Sequence, residues 1–192
     1  KSLVAKGLIV TGPKLGTRVL SEDQWNWFDP DVVSWLSQKR LSADFLRDLQ
    51  ELRRIVEPAA IRLAAERATT RELTSIEVAF SGMKNAVENG GDYVTHDLRF
   101  HQGLLQASGN RLLVQMSKVL GALLRTSFEI STAKKNGPAQ SLSMHRDVLD
   151  AVIARHPDRA EAAILRLIDG AKQDIESVLS SRRRIPNIGR PA

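Results

Sequence analysis

From Ser42 to about Ser181 the chain is written almost without interruption as amphipathic helix, and this pattern constrains the fold more than any other feature. Apolar residues recur at helical spacing, and capping and turn residues cut the run rather than strand signals. Ser42 predicts the N-cap of a long helix reaching about Arg67, with a stripe of Leu46, Leu49, Leu52, Ile55 and Val56 continued by Ile61, Leu63 and Ala64. Pro58 inside it predicts a kink, or a break between two pieces. Thr69 or Thr70 opens the next helix, which runs through Leu73, Ile76, Phe80 and Met83 to about Glu88 and closes at Asn89-Gly90-Gly91. Asp92 caps a third helix ending near Ser108-Gly109, and Asn110 starts a fourth. Lys134 to Pro138 reads as a loop. A helix from about Gln140 to Arg155 and a last one from Pro157 to about Ser181 follow. Short connections between such helices predict an all-α fold, an antiparallel bundle of about six helices.

The chain ahead of Ser42 is different. Lys1 to Lys6 reads as the end of a helix closed by Gly7, and Leu8 to Val10 is a short β-prone run. Thr11 to Gly16 is turn chemistry, and Thr17 to Leu20 returns as a second strand. Helix, strand, turn and strand in that order match the end of a winged helix-turn-helix. The turn carries Lys14, Gly16, Thr17 and Arg18, where glycine permits close approach to a phosphate and the cations complement it. An ordinary surface hairpin with basic decoration is the other reading. Lys1 begins in mid-pattern without an N-cap, which predicts that further residues precede it. The expected organisation is a winged-helix remnant over 1–20, a linker over 21–41, a helical domain over 42–181 and a disordered tail over 182–192. The linker holds all three tryptophans, Trp25, Trp27 and Trp35, expected to dock it onto the following domain. Asp29 and Pro30 there form a helix-start signal.

Composition narrows the function classes. The absence of cysteine excludes disulfides and thiolate metal sites and is compatible with the cytoplasm. No apolar run approaches the ~18 residues of a membrane span. A net charge of +6 permits nucleic-acid binding without establishing it.

The chemistry concentrates on a few residues. Asp97 and His101 stand four apart on one helix face, among Leu98, Leu104 and Leu105, so both need partners if that face is buried. His145 lies on a later helix, on the side of Leu142, Val148 and Leu149. Asp97, His101 and His145 are the ligand types a divalent metal such as zinc takes. The same residues also suit a hydrogen-bonded core network. Arg53 lies beside the buried stripe of the first long helix, placed to grip a ligand's carboxylate or to pair with Glu57. His96 and His156 are expected to be exposed. No nucleophile elbow or phosphate-binding glycine loop is present. A metal-dependent hydrolase or isomerase on a helical bundle is the alternative function, since metal-held water could be activated. A structural helical interaction domain is a third.

With these residues in hand, the chain resembles the GntR family of bacterial transcription regulators, in the branch with an all-helical C-terminal ligand domain. The resemblance rests on Ala5 to Ile9 with Pro13 to Val19, on Trp25 with Asp29 to Val32 and Trp35, and on Glu51 to Pro58. It continues through Asp97 with Phe100-His101, Ser108 to Asn110, and Met144 to Arg146. It implies a homodimeric regulator, a repressor rather than an enzyme, that binds operator DNA through Lys14, Gly16, Thr17 and Arg18. It also implies a small carboxylate or sugar-acid effector held by Arg53, Asp97, His101, Ser141 and His145, with Asp97, His101 and His145 around a metal. Many members carry a further histidine where this chain has Leu167. Leucine cannot ligate, so the resemblance leaves a three-ligand site or a metal-free polar pocket.

Overall fold

A computed structural model describes residues 2–37, 42–134 and 136–183. The chain forms two compact units, Lys1–Leu41 and Ser42–Ala192.

In the first unit a single helical turn, α1 (Ser2–Ala5), leads into a two-stranded antiparallel hairpin of β1 (Ile9–Gly12) and β2 (Gly16–Val19). Ile9 pairs with Val19 and Gly12 with Gly16. The hairpin turn needs Gly16 at φ +66°, a conformation glycine adopts without a Cβ penalty. A short 3-10 turn (Glu22–Gln24) and α2 (Pro30–Ser37) complete the unit. Asp29 caps α2 by accepting the amide protons of Asp31 and Val32. Lys6 donates to both Asp29 carboxylate oxygens, at 2.7 and 2.8 Å, and pairs with Asp31. This ties the end of α1 to the start of α2.

Two of the tryptophans pack within their own unit. Trp25 and Trp35 line one apolar groove with Leu3, Leu8 and Ile9 of their own unit. The Trp25 indole donates to the Leu20 carbonyl at 2.9 Å. An apolar hairpin and a one-turn helix have little interior of their own, and large aromatic rings supply it.

The second unit is the expected antiparallel bundle, with α3 (Ala43–Arg67), α4 (Thr70–Asn89), α5 (Tyr93–Ala107), α6 (Arg111–Ser131), α7 (Gly137–Ile153) and α8 (Pro157–Arg183). Its helix starts follow side-chain chemistry. Ser42 accepts from the Phe45 amide, Asp92 from Thr95 and Asn110 from Leu112. Thr69 and Glu72 form a reciprocal capping box. α3 lies against α8, α5 and α7, while α4 packs on α5 and α7. Small residues at the α3 and α8 surfaces, Ala60, Ala64, Ala160 and Ala163, let neighbouring backbones approach. Ile61, Ile76, Phe100, Leu104, Leu149 and Ile164 fill the core. Each such large apolar side chain stabilises the fold by roughly 1.5–3 kcal/mol.

Several expectations change. Pro58 does not break α3, which is continuous from Ala43 to Arg67. The proline is buried there, and packing around it offsets the backbone hydrogen bond it cannot make. Gly137 and Pro138 belong to α7 rather than to the preceding loop, because proline in a first turn gives up no intrahelical bond. Asn136 ahead of them takes φ +61°. The helix ends at Ile153, and Arg155, at φ +57°, turns its guanidinium onto the Ala65 and Ala68 carbonyls at the end of α3. α8 runs to Arg183, past the expected end. The rest of the expected tail, residues 184–192, lies outside the described residues, as does Lys1. Among the described residues no helix is long and apolar enough to cross a membrane.

Candidate functional site

Three of the bundle helices bring Arg53, Glu57, Asp97, His101 and His145 together in the interior. All five side chains are buried. Arg53 and Glu57 stand one turn apart on α3, Asp97 and His101 one turn apart on α5, and His145 faces them from α7. Helical spacing aligns each pair, and packing of α3, α5 and α7 makes them meet.

Both imidazoles are held by their Nδ1 atoms. His145 Nδ1–H donates to the Ser141 carbonyl at 2.8 Å, since a carbonyl can only accept. His101 Nδ1 donates to Glu57 Oε2 at 2.9 Å. This leaves both Nε2 atoms turned toward one oxygen, Asp97 Oδ1, at 3.0 Å from His145 and 3.4 Å from His101. A bare Nε2 lone pair facing a carboxylate is repulsive, so a proton or a cation must lie between them. One ligand atom from each of Asp97, His101 and His145 lies within 4.8 Å of the others. Metal-binding histidines characteristically have the other ring nitrogen fixed by a carboxylate or carbonyl. The donor set therefore fits a divalent metal. Leu167, buried on α8, supplies an apolar wall and no fourth ligand.

The electrostatics agree with this geometry. Burial opposes the charge on Glu57, but Arg53 and His101 beside it prevail and hold its carboxyl at about 2. Burial likewise opposes charge on His101, yet Glu57 and Asp97 raise it to about 9. Asp97 is buried too, and the two histidines pull its pKa well below the usual carboxylate range. The cluster is thus a buried set of alternating charges in which protons or a metal can neutralise Asp97.

Arg53 does two things at once. Its Nε donates to Glu57 Oε1 at 2.6 Å, and its guanidinium lies 5.0 Å from the Phe128 ring centre. Among the described residues its Nη1 has no hydrogen-bond partner. Sequence spacing offered Glu57 and a ligand carboxylate as alternatives for this arginine. The fold uses one edge for Glu57 and leaves the other available.

Arg53, Asp97, His101 and His145 line one small cavity. Phe128, Ser131 and Thr132 from the α6 end, Gly137 and Ser141 on α7, and Leu167, Ala171 and Asp174 on α8 form the remainder. Ser141 is positioned by Tyr93, whose hydroxyl lies 2.8 Å from its own. Burial and nearby Asp97 both raise the Tyr93 pKa, keeping it a neutral phenol.

Asp174 and Thr132 entered no candidate set drawn from the sequence, and Glu57 entered only as a partner for Arg53. Glu57 bonds a histidine 44 residues away, which no local spacing can announce. His96 is half-buried rather than exposed, because its ring lies over Gly82 where a Cβ would collide with it. His156 is exposed. In the other unit Lys14, Gly16, Thr17 and Arg18 are exposed on the hairpin turn and its second strand.

Comparison with known proteins points the same way. The FCD domain model matches residues 48–170. The galactonate operon transcriptional repressor of Escherichia coli is 33% identical over 180 residues, covering 93% of this chain and 78% of that protein. The HTH-type transcriptional regulator LutR of Bacillus subtilis is 30% identical, covering 93% of this chain and 80% of its own length. Among solved structures, Streptococcus agalactiae GntR superposes with a TM-score of 0.57 at 22% identity, over 95% of this chain and 77% of that one. These relatives are named as regulators, and they give no support to a hydrolase or isomerase.

Proposed function

The chain belongs to the GntR family of transcription regulators that carry an FCD domain, and we propose that its helical unit senses a small organic or sugar acid which modulates operator binding. The observation that carries this reading is Arg53 Nη1, a buried and unpartnered cation edge in the wall of the Asp97, His101 and His145 cavity. Leaving such a donor unpaired is costly, and a carboxylate relieves it with a charge-assisted hydrogen bond. Ser141 lies within the same wall. A divalent metal, with zinc the best match to one carboxylate and two imidazoles, would be held by Asp97, His101 and His145. When bound it would supply positive charge and open positions for oxygen ligands of the acid.

The remainder of the reading follows the relatives. The protein acts as a repressor and a homodimer, in the cytoplasm, on a palindromic operator. Lys14 and Arg18 contact phosphates, and Gly16 and Thr17 let the hairpin tip approach a groove. The effector shifts the population between two arrangements of the DNA-reading modules, by no more than its difference in affinity for them.

The test is operator binding by fluorescence anisotropy, titrated with galactonate. Arg53→Ala and His101→Ala are expected to raise the galactonate concentration needed for release at least ~10-fold, a loss of about 1.4 kcal/mol, with operator affinity little changed. A normal response in both variants means the pocket is misplaced.

A further inference from the structure

The two ends of the cavity offer opposite hydrogen-bonding chemistry. At the α3 end the group in need of a partner is a donor, Arg53 Nη1. At the other end the groups are acceptors. Ser131 and Thr132 give their hydroxyl protons to the Phe128 carbonyl, at 3.2 and 2.6 Å, and Ser141 gives its proton to Pro138 at 3.1 Å. Each then has only oxygen lone pairs to offer a ligand. Asp174 adds a carboxylate, largely buried, which lines the cavity and is paired with Lys134 at 2.5 Å. A carboxylate has about four acceptor sites, and Lys134 takes one of them.

The spacing along α8 separates these ends. Leu167, Ala171 and Asp174 fall at i, i+4 and i+7 on one helix face, all in the cavity wall. Seven residues of helix advance about 10 Å. Leu167 lines the cavity together with the Asp and His cluster, and Asp174 stands two turns farther along α8. An acid gripped at Arg53 therefore meets carbon at Leu167 and Ala171 before it meets Asp174. A second carboxylate at that far end would face a like charge, which is unfavourable. An ammonium group would have to displace Lys134, which already holds the carboxylate. Hydroxyl groups satisfy the arrangement, since they donate protons to acceptors and carry no charge.

We propose that Asp174 is the specificity-determining residue of this cavity, reading hydroxyl groups at the far end of an acid whose carboxylate is held at Arg53. This rests on the effector site proposed above and narrows its ligand to a polyhydroxylated monoacid several carbons long. Sites built to bond a substrate hydroxyl reject the analogue that lacks it much more strongly than apolar pockets reject a missing methylene.

Calorimetric titration of the protein with gluconate, galactonate, hexanoate and 6-aminohexanoate tests this. At least one of the two hydroxylated acids is expected to bind ~10-fold or more tightly than hexanoate. Asp174→Ala is expected to reduce that preference at least ~10-fold while changing hexanoate affinity less than about twofold. Asp174→Asn, which keeps the shape and one acceptor, is expected to fall between, and circular dichroism verifies that both variants fold. An unchanged preference in folded Asp174→Ala overturns the assignment, as does tighter binding of 6-aminohexanoate than of either hydroxylated acid. If acids bind in an Arg53-dependent way but the preference ignores Asp174, this inference fails alone. If none of the acids binds, the effector site fails with it.

Discussion

Replacing Glu57 with alanine removes the one counter-charge that touches both Arg53 and His101. Glu57 and Arg53 are 0% and 1% exposed, and their closest approach is 2.6 Å. The guanidinium meets too little solvent for water to replace the lost carboxylate fully. Breaking a buried pair from one side typically costs about 3–5 kcal/mol, because a charge is left without compensation. His101 also loses the acceptor for its Nδ1–H, worth about 1–3 kcal/mol, although the two losses share one carboxylate and do not add. The expected destabilisation is therefore about 4 kcal/mol, a large share of the ~5–15 kcal/mol that holds a typical domain together. Glu57→Gln keeps the shape and one acceptor, and about 1–3 kcal/mol is expected. Urea denaturation followed by far-ultraviolet circular dichroism, with chelator present to remove metal, measures both. The double substitution Arg53→Met with Glu57→Leu removes both charges and is expected to recover much of the loss, since well-packed apolar replacements of buried pairs are often neutral. A cost below about 1 kcal/mol for Glu57→Ala would refute the reasoning, because it would mean that Arg53 finds its compensation elsewhere.

Two further outcomes follow from the same cluster. Leu167→His adds an imidazole where the cavity wall is apolar; it is expected to tighten zinc binding ~10-fold or more by calorimetry and to destabilise the metal-free chain, and unchanged zinc affinity would place Leu167 too far from the cluster. In chelator-treated protein, the His101 contribution is fully present below pH 6.5 and is lost as pH rises through about 9, while the Glu57 contribution is present above pH 4.5 and is lost as pH falls through about 2. Thermal melting across pH should show a loss of a few kcal/mol on the alkaline side that His101→Gln abolishes, and a flat profile from pH 6.5 to 9 in the parent would contradict it.

The helix plan was legible because its signals are local. Ser42, Thr69, Asp92 and Asn110 each cap a helix with their own side chain, and no distant residue has to be known. Gly137-Pro138 misled for the same reason, since the pair suits a loop and a helix start equally, and packing decides. At the site, Asp97 and His101 were visible as a four-residue spacing. Glu57 was visible only as a neighbour of Arg53, because its bond to His101 depends on how α3 meets α5. Asp174 is one of several acids on α8. The exposed ion pairs of Arg54 with Asp169 and Arg62 with Asp158 show where two others go, and only the fold turns Asp174 into the cavity. At Trp25 and Trp35, aromatic content announces burial without saying against what.

The continuity of α3 through Pro58 has a mechanical meaning. Proline leaves the Arg54 carbonyl without its usual helical partner, so bending there is cheaper than elsewhere in the rod. Arg53 and Glu57 lie immediately on the N-terminal side of that soft turn. The stretch from Ala43 to Glu57, about 20 Å long, leads from the Ser42 cap to that turn, and buried Leu46, Leu49 and Gln50 hold it in the bundle. Arg53 thus stands beside the point where this helix yields most readily.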